Sequence, residues 1–326
     1  MKSYLHRSFL ILTAALATGC SANAIPGGGG QANLSSVSPN VLAPRLKKPA
    51  LITLDLQGGE LEYWPVHTGG SSTMPIPFTS SLGIYSGYNM AADGDVVAIS
   101  NNRPPEVFTY NVRKKTSATL PDPYGTPIDI AIAKSHTIYA LNFTNVTVYR
   151  PGSSKPSELS CQYVNQSVAI AVNDEGDVFV NGYGPGSFMG VVEFRRGKQT
   201  CKKLNLQPEQ GYAGGVGIDP KTDDLIVVDN PDLCAGGYEG RMLIYPRPYG
   251  RKYTERNLNA TYCAGTFRLD ATSSIIFVSD ATVSAGFPLI DQRGYPSAQN
   301  EGVYSGGYGS HASFGGFTTI PNTLPN

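Results

Sequence analysis

The chain has 326 residues, of which 40 % are hydrophobic and only 15 % charged, with 25 cations balanced by 25 acids. Its 37 glycines, 24 prolines and 19 tyrosines suit short strands joined by tight turns, and the length admits one large all-β domain or two small ones. No basic run exceeds a few residues, the longest at 113–115 and 195–198, so a phosphate-tracking surface and a nucleic-acid partner are not expected.

In chain order, Lys2, His6 and Arg7 precede an apolar run from Phe9 to Ala17, followed by Thr18, Gly19 and Cys20. A basic start, a short hydrophobic stretch and small residues at the cut define a secretory signal. The run is too short to span a bilayer as a mature helix. The small residues before Cys20 resemble a bacterial lipobox, with Ala17 where that motif favours leucine. The resemblance implies removal of residues 1–19 and a diacylglycerol on the Cys20 thiol; the alternative is an ordinary cut near Ala22 or Ala24. Cleavage before Cys20 takes Lys2 and Arg7 and no acid, leaving 23 cations against 25 acids, about −2. Ser21 is not the aspartate that resembles an inner-membrane retention signal. The expected address is therefore the bacterial envelope, at the outer membrane and extracytoplasmic, with membrane contact through the lipid alone. Residues 20–49 are rich in Gly, Ser, Pro and Asn and read as a flexible tether.

From Leu51 a β-rich phrase recurs about every forty to fifty residues. It stands as ITLDLQGGELEYWP (Ile52–Pro65), IYALNFTNVTVYRP (Ile138–Pro151) and VFVNGYGPGSFMGVVEFRRG (Val178–Gly197). Repeats of this length with strands and no helix are the signature of a β-propeller. Innermost strands align as Gly87–Ala92, Pro127–Ala133, Ser167–Asn173, Gly215–Asp219 and Thr266–Asp270, each followed by a polar turn and a second apolar strand. That makes five full repeats. The sixth is split: Leu51 opens with a second strand and Glu60–Val66 supplies a third, with no first strand before them. SFGGFTTI (Ser313–Ile320) has the character of the missing strand. The expected fold is thus an all-β, six-bladed propeller of four-stranded antiparallel blades over residues 50–326, closed by the C-terminal strand, which removes exposed sheet edges.

With Cys20 lipidated, Cys161, Cys201, Cys234 and Cys263 remain, an even number in an oxidising compartment. Cys234 falls between second and third strands and Cys263 between repeats, loops that share a propeller face, so this pair is geometrically reasonable. Cys161 and Cys201 pair by default across neighbouring repeats; free buried thiols are the alternative. The second strands end in Asp55, Asn101, Asn142, Asn181, Asp229 and Asp280. One reading is a ring of polar side chains around the channel mouth, a candidate binding face. The other is that Asn, Asp and Ser end strands and start turns anywhere.

Phrases such as AVNDEGDVFVNG (Ala171–Gly182) and GIDPKTDDLIVVDN (Gly217–Asn230), with six blades and split closure, resemble the NHL-repeat and gluconolactonase-like propellers. That group includes lactonases with a divalent metal on the axis, held by Glu, Asn and Asp. Carried over, the resemblance nominates Asn142, Asn181 and Asp229 as ligands of Ca²⁺ or another divalent ion, although no first strand begins with the glutamate. The common hydrolase, protease and nucleotide motifs are absent from the sequence, and His67, His136 and His311 are widely separated. Trp64, Tyr110, Tyr149 and Tyr245 recur at one third-strand position, which argues for packing between blades over a carbohydrate platform. The leading expectation is a tethered, non-enzymatic binding or scaffold module without cofactor, toward a protein or a glycan. The competing expectation is a metal-dependent hydrolase of the lactonase type.

Overall fold

The computed structural model describes residues 50–56, 59–65, 76–77, 79, 81–84, 86–112, 114–153, 155–231, 239–259, 261, 264–270, 272–280, 289–305 and 314–320. The expected signal peptide, Cys20, the tether, Cys234, Cys263, His67 and His311 lie outside them. Strands β1 (Ala50–Asp55), β2 (Glu60–Pro65) and β3 (Ile76–Pro77) begin blade 1. Blade 2 holds β4 (Gly87–Asp93), β5 (Val96–Asn102), β6 (Pro105–Asn111) and β7 (Thr116–Pro121). Blade 3 holds β8 (Asp129–Ile132), β9 (Ile138–Leu141), β10 (Asn145–Tyr149) and β11 (Ser157–Ser160). Blade 4 holds β12 (Gln166–Val172), β13 (Val178–Gly184), β14 (Phe188–Phe194) and β15 (Cys201–Lys203). Blade 5 holds β16 (Ala213–Ile218), β17 (Leu225–Asp229), β18 (Gly240–Tyr245) and β19 (Thr254–Leu258). Blade 6 holds β20 (Ala264–Leu269), β21 (Ile275–Asp280), β22 (Leu289–Gly294) and β23 (Asn300–Ser305).

The last strand, β24 (Phe314–Ile320), returns to blade 1 and pairs antiparallel with β1, setting Ala50 opposite Ile320. Blade 1 therefore has the order β24-β1-β2-β3, and every other blade runs in sequence order. The innermost strands β24, β4, β8, β12, β16 and β20 adjoin one another in that order and close the ring. This is the six-bladed propeller that the split repeat predicts. The only helical turns among the described residues are two single 3₁₀ turns, Pro185–Ser187 and Arg195–Gly197.

Blades stack face to face, so each middle strand is covered on both sides and reads as a continuous apolar run. In β17 the alternation is explicit. Leu225 and Val227 pack toward blade 4 with Phe179 and Val191, whereas Ile226 and Val228 pack toward blade 6 with Ile276 and Val278. A fully buried side chain of this kind stabilises the fold by roughly 1.5–3 kcal/mol. Trp64 fills the wedge between blades 1 and 6, edge-on to Tyr304 at 5.4 Å, its indole N–H donating to Thr53 Oγ1.

The antiparallel order sorts the connections onto two sides. First-to-second turns and third-to-outer loops share one side, the turn face. Second-to-third loops and the crossovers between blades share the other, the crossover face. The tight turn after the inner strand of each of blades 2 to 6 contains one residue in the left-handed region: Gly94 and Gly176 in blades 2 and 4, His136, Asp223 and Ser273 in blades 3, 5 and 6.

Candidate functional site

On the crossover face, five of the six polar residues that end the second strands are interior. Asp55, Asn101, Asn142, Asn181 and Asp229 are all 4 % exposed or less. These five form no open ring at the channel mouth; Asn101, Asn142, Asn181 and Asp229 pin the crossovers. Asn142 Nδ2 donates to Thr147 Oγ1 and Asn145 Oδ1, and both Asn142 and Thr147 reach the Asp122 carboxylate of the incoming crossover. Asn181 Nδ2 donates to Gln210 Oε1 of the next crossover and to Gly214 O of β16. Asp229 accepts from the Gly211 and Tyr212 amides and from Arg241, the guanidinium lying 2.7 Å away. Asn101 accepts from Ser86 and donates to Glu106. Asp280 ends β21, its backbone paired with Ala264 and Leu289.

These contacts decide how the nominated metal ligands fit. Asn142, Asn181 and Asp229 belong to three separate networks. Asp229, the only carboxylate among them, has both oxygens occupied and Arg241 as its counter-ion, so it has no charge to spare for a divalent cation. The Oδ1 atoms of Asn142 and Asn181 are buried without a hydrogen bond. Two amide oxygens fall short of a calcium shell, so the trio does not fit the ion. Elsewhere, Asp55, Glu60 and Glu62 bring carboxylate oxygens within 4.8 Å of one another, the one group of metal-ligating spacing among the described residues.

On the axis, a cavity of about 390 Å³ rises from the turn face between Ala91, Ile130, Ile170, Val216 and Phe267. Arg268, on β20, spans this channel. Its Nε donates to Met90 O of blade 2 at 2.9 Å and its Nη2 to Asp129 Oδ1 of blade 3 at 2.8 Å. Asp129 is fully buried, and its second oxygen accepts from the Ile170 amide of blade 4. One ion pair thus ties blades 2, 3, 4 and 6 across the centre. The guanidinium that faces the cavity is spent on closing the ring.

The turn face is laced from blade to blade. Asp93 of blade 2 meets His136 of blade 3, and Lys134 of blade 3 meets Asp174 of blade 4 at 3.0 Å. Arg247 of blade 5 binds Glu175 and Asp177 of blade 4 together with Asp223 of its own blade. This hydrogen bond and charge hold the Glu175 carboxyl below the usual carboxylate range, and Arg247 is raised in turn by Glu175 first and then Asp223. Ser273 of blade 6 donates to Asp219 of blade 5. Arg247 is the one side chain that the third-to-outer loops contribute to these ion pairs among the described residues.

Large aromatic side chains stand exposed on the crossover face. Phe143, in the second-to-third loop of blade 3, is 55 % exposed, and Tyr88, at the start of β4, is 49 % exposed. Lys203 Nζ lies 4.8 Å from the Tyr163 ring centre and 4.5 Å from that of Phe188. A Cys161–Cys201 disulfide joins the outer strands of blades 3 and 4 on the rim, as the pairing by default anticipated. Sequence reasoning missed Arg268 and Asp129. Their one signal was charge inside otherwise small and apolar inner strands.

The sequence matches no protein-family model and no curated relative. Solved structures share the fold. A chain of the nidogen/laminin complex is 13 % identical, with 85 % of this chain and 100 % of that chain covered and a TM-score of 0.66. TolB from Acinetobacter baumannii is 10 % identical, covering 84 % of this chain and 67 % of that one at a TM-score of 0.60. A catalytically inactive virginiamycin B lyase from Staphylococcus aureus, solved with quinupristin, is 9 % identical over 78 % of this chain and 84 % of that one, at 0.53. At these identities the likeness is one of fold.

Proposed function

We propose that this chain is an envelope-anchored binding module whose crossover face receives a protein partner. Residues 1–19 are the signal peptide, Cys20 carries the lipid, residues 20–49 are the tether and residues 50–326 the propeller, held extracytoplasmically at the outer membrane. Kinship with the NHL-repeat propellers belongs to the same proposal, on the phrases at Ala171–Gly182 and Gly217–Asn230.

The observation that carries it is the make-up of the crossover face. Phe143 and Tyr88 stand exposed there. The described residues of its loops include only four charges, Arg103, Asp122, Glu209 and Glu239. Aromatic anchors on a scaffold already pinned by buried hydrogen bonds lose little entropy on association. The nidogen/laminin neighbour is a propeller seen with a protein partner, which agrees with this reading.

The test is a photo-reactive phenylalanine at position 143, cross-linked in intact cells. A discrete protein adduct is expected, weakened when Tyr88→Ala is added. No adduct at this position, together with hydrolysis of a lactone panel that stops with a chelator, would overturn the proposal in favour of the lactonase-type hydrolase.

A further inference from the structure

The two faces differ in charge as well as shape. Among the described residues, the third-to-outer loops of the turn face hold ten cations and no acid. Blade 2 contributes Lys114 and Lys115, and blade 3 contributes Arg150 and Lys155. Blade 4 adds Arg195, Arg196 and Lys198, and blade 5 adds Arg247, Arg251 and Lys252. All ten are exposed. Arg247 is bound by Glu175, Asp177 and Asp223, while the other nine take part in no ion pair among the described residues. Apart from Asp224, the described acids of this face lie inside the collar and are already matched. Asp174 and Asp93 hold Lys134 and His136, and Asp177, Asp219 and Asp270 are buried among hydrogen-bond donors. What reaches outward is an arc of unpaired cations over four consecutive blades. In sequence these appear as scattered pairs; the propeller gathers them.

A second observation fixes the occupant. Pairing of β1 with β24 puts Ala50 beside Ile320, at the end of the inner strand where the other blades make their first turns. The chain that precedes Ala50 therefore joins the propeller on the turn face, the same side as the collar. Tyr253, 42 % exposed beside Arg251 and Lys252, adds an aromatic ring of the kind that settles at headgroup depth.

We infer that the turn face docks on an anionic phospholipid surface, leaving the crossover face turned away from the membrane toward its partner. An arc of cations on one side of a ring meets a charged plane all at once, whereas a linear polyanion has to bend around it. Each Lys or Arg that reaches such a surface raises partitioning about fivefold, within a Debye length. This inference extends the anchored reading and is tested apart from the lipid.

The secreted chain carrying Cys20→Ser, which has no lipid, is sedimented with vesicles of phosphatidylcholine alone or mixed with phosphatidylglycerol. Binding to the mixed vesicles only is expected, abolished by high salt. Arg195→Glu with Arg196→Glu is expected to weaken it by at least about tenfold. Arg103→Glu, on the crossover face, leaves it unchanged. Equal binding to both vesicles, no binding, equal damage from Arg103→Glu, or capture by heparin without vesicle binding would each overturn the inference. Failure of the anchor is read separately, as wild-type protein found in the soluble fraction of cells while vesicle binding persists.

Discussion

At the scale of single residues, Arg268 and Asp129 are the side chains on which most of the ring depends. Four blades meet in their hydrogen bonds, in a site where charge is poorly solvated. Removing one partner strands the other, and Arg268→Met is expected to cost about 3–5 kcal/mol in denaturant unfolding. Adding Asp129→Asn removes the stranded charge and recovers part of that loss. The pins of the crossover face act similarly on a smaller scale. Asp229→Ala leaves two amides without their acceptor, takes from Arg241 its buried counter-ion and is expected to cost about 1–3 kcal/mol. Asp219 gives a pH signature. Burial raises its carboxyl, but the Ser273 hydroxyl and Lys221 amide, with Thr222 and Tyr295, outweigh this and hold it below its ordinary value. A carboxyl lower in the folded than in the unfolded state stabilises above the unfolded value, and that contribution is lost as pH falls through the folded one. The difference in Tm between wild type and Asp219→Asn is therefore expected in full above about pH 4, and to close below it.

At the scale of elements, closure by β24 depends on how near the strand can come to its neighbour. Gly316 sits at φ +111°, and a Cβ there would lie 2.6 Å from Asn89 Cα. Gly316→Val is expected to displace β24 and expose the β1 edge, seen as early-eluting aggregates in size exclusion. Across blades 3 and 4 the Cys161–Cys201 bridge closes a 40-residue separation. Cys201→Ser is expected to cost up to about 4 kcal/mol, measured by thermal unfolding with and without reductant. Strand identities were legible from period and alternation, because a strand covered on both sides must be apolar throughout. Strand ends were less so. β13 runs on to Gly184, three residues past the expected strand end at Asn181, because a single 3₁₀ turn suffices to reverse the hairpin before β14.

At the scale of the whole molecule, the antiparallel order divides labour between two faces. The turn face holds the clasps and cations, and the crossover face holds sparsely charged loops over buried pins. From the sequence alone came the blade count, the split closure, the rim disulfide and the list of polar strand ends, because these are written in local repeats and in counting. What only the tertiary structure decided is where those groups point and what they meet. The polar strand ends turn inward because the crossovers arriving over them have unpaired backbone groups that need partners. Arg268 finds Asp129 from 139 positions away, and the basic pairs become one collar. No local pattern encodes such meetings, since they exist only after the ring has closed.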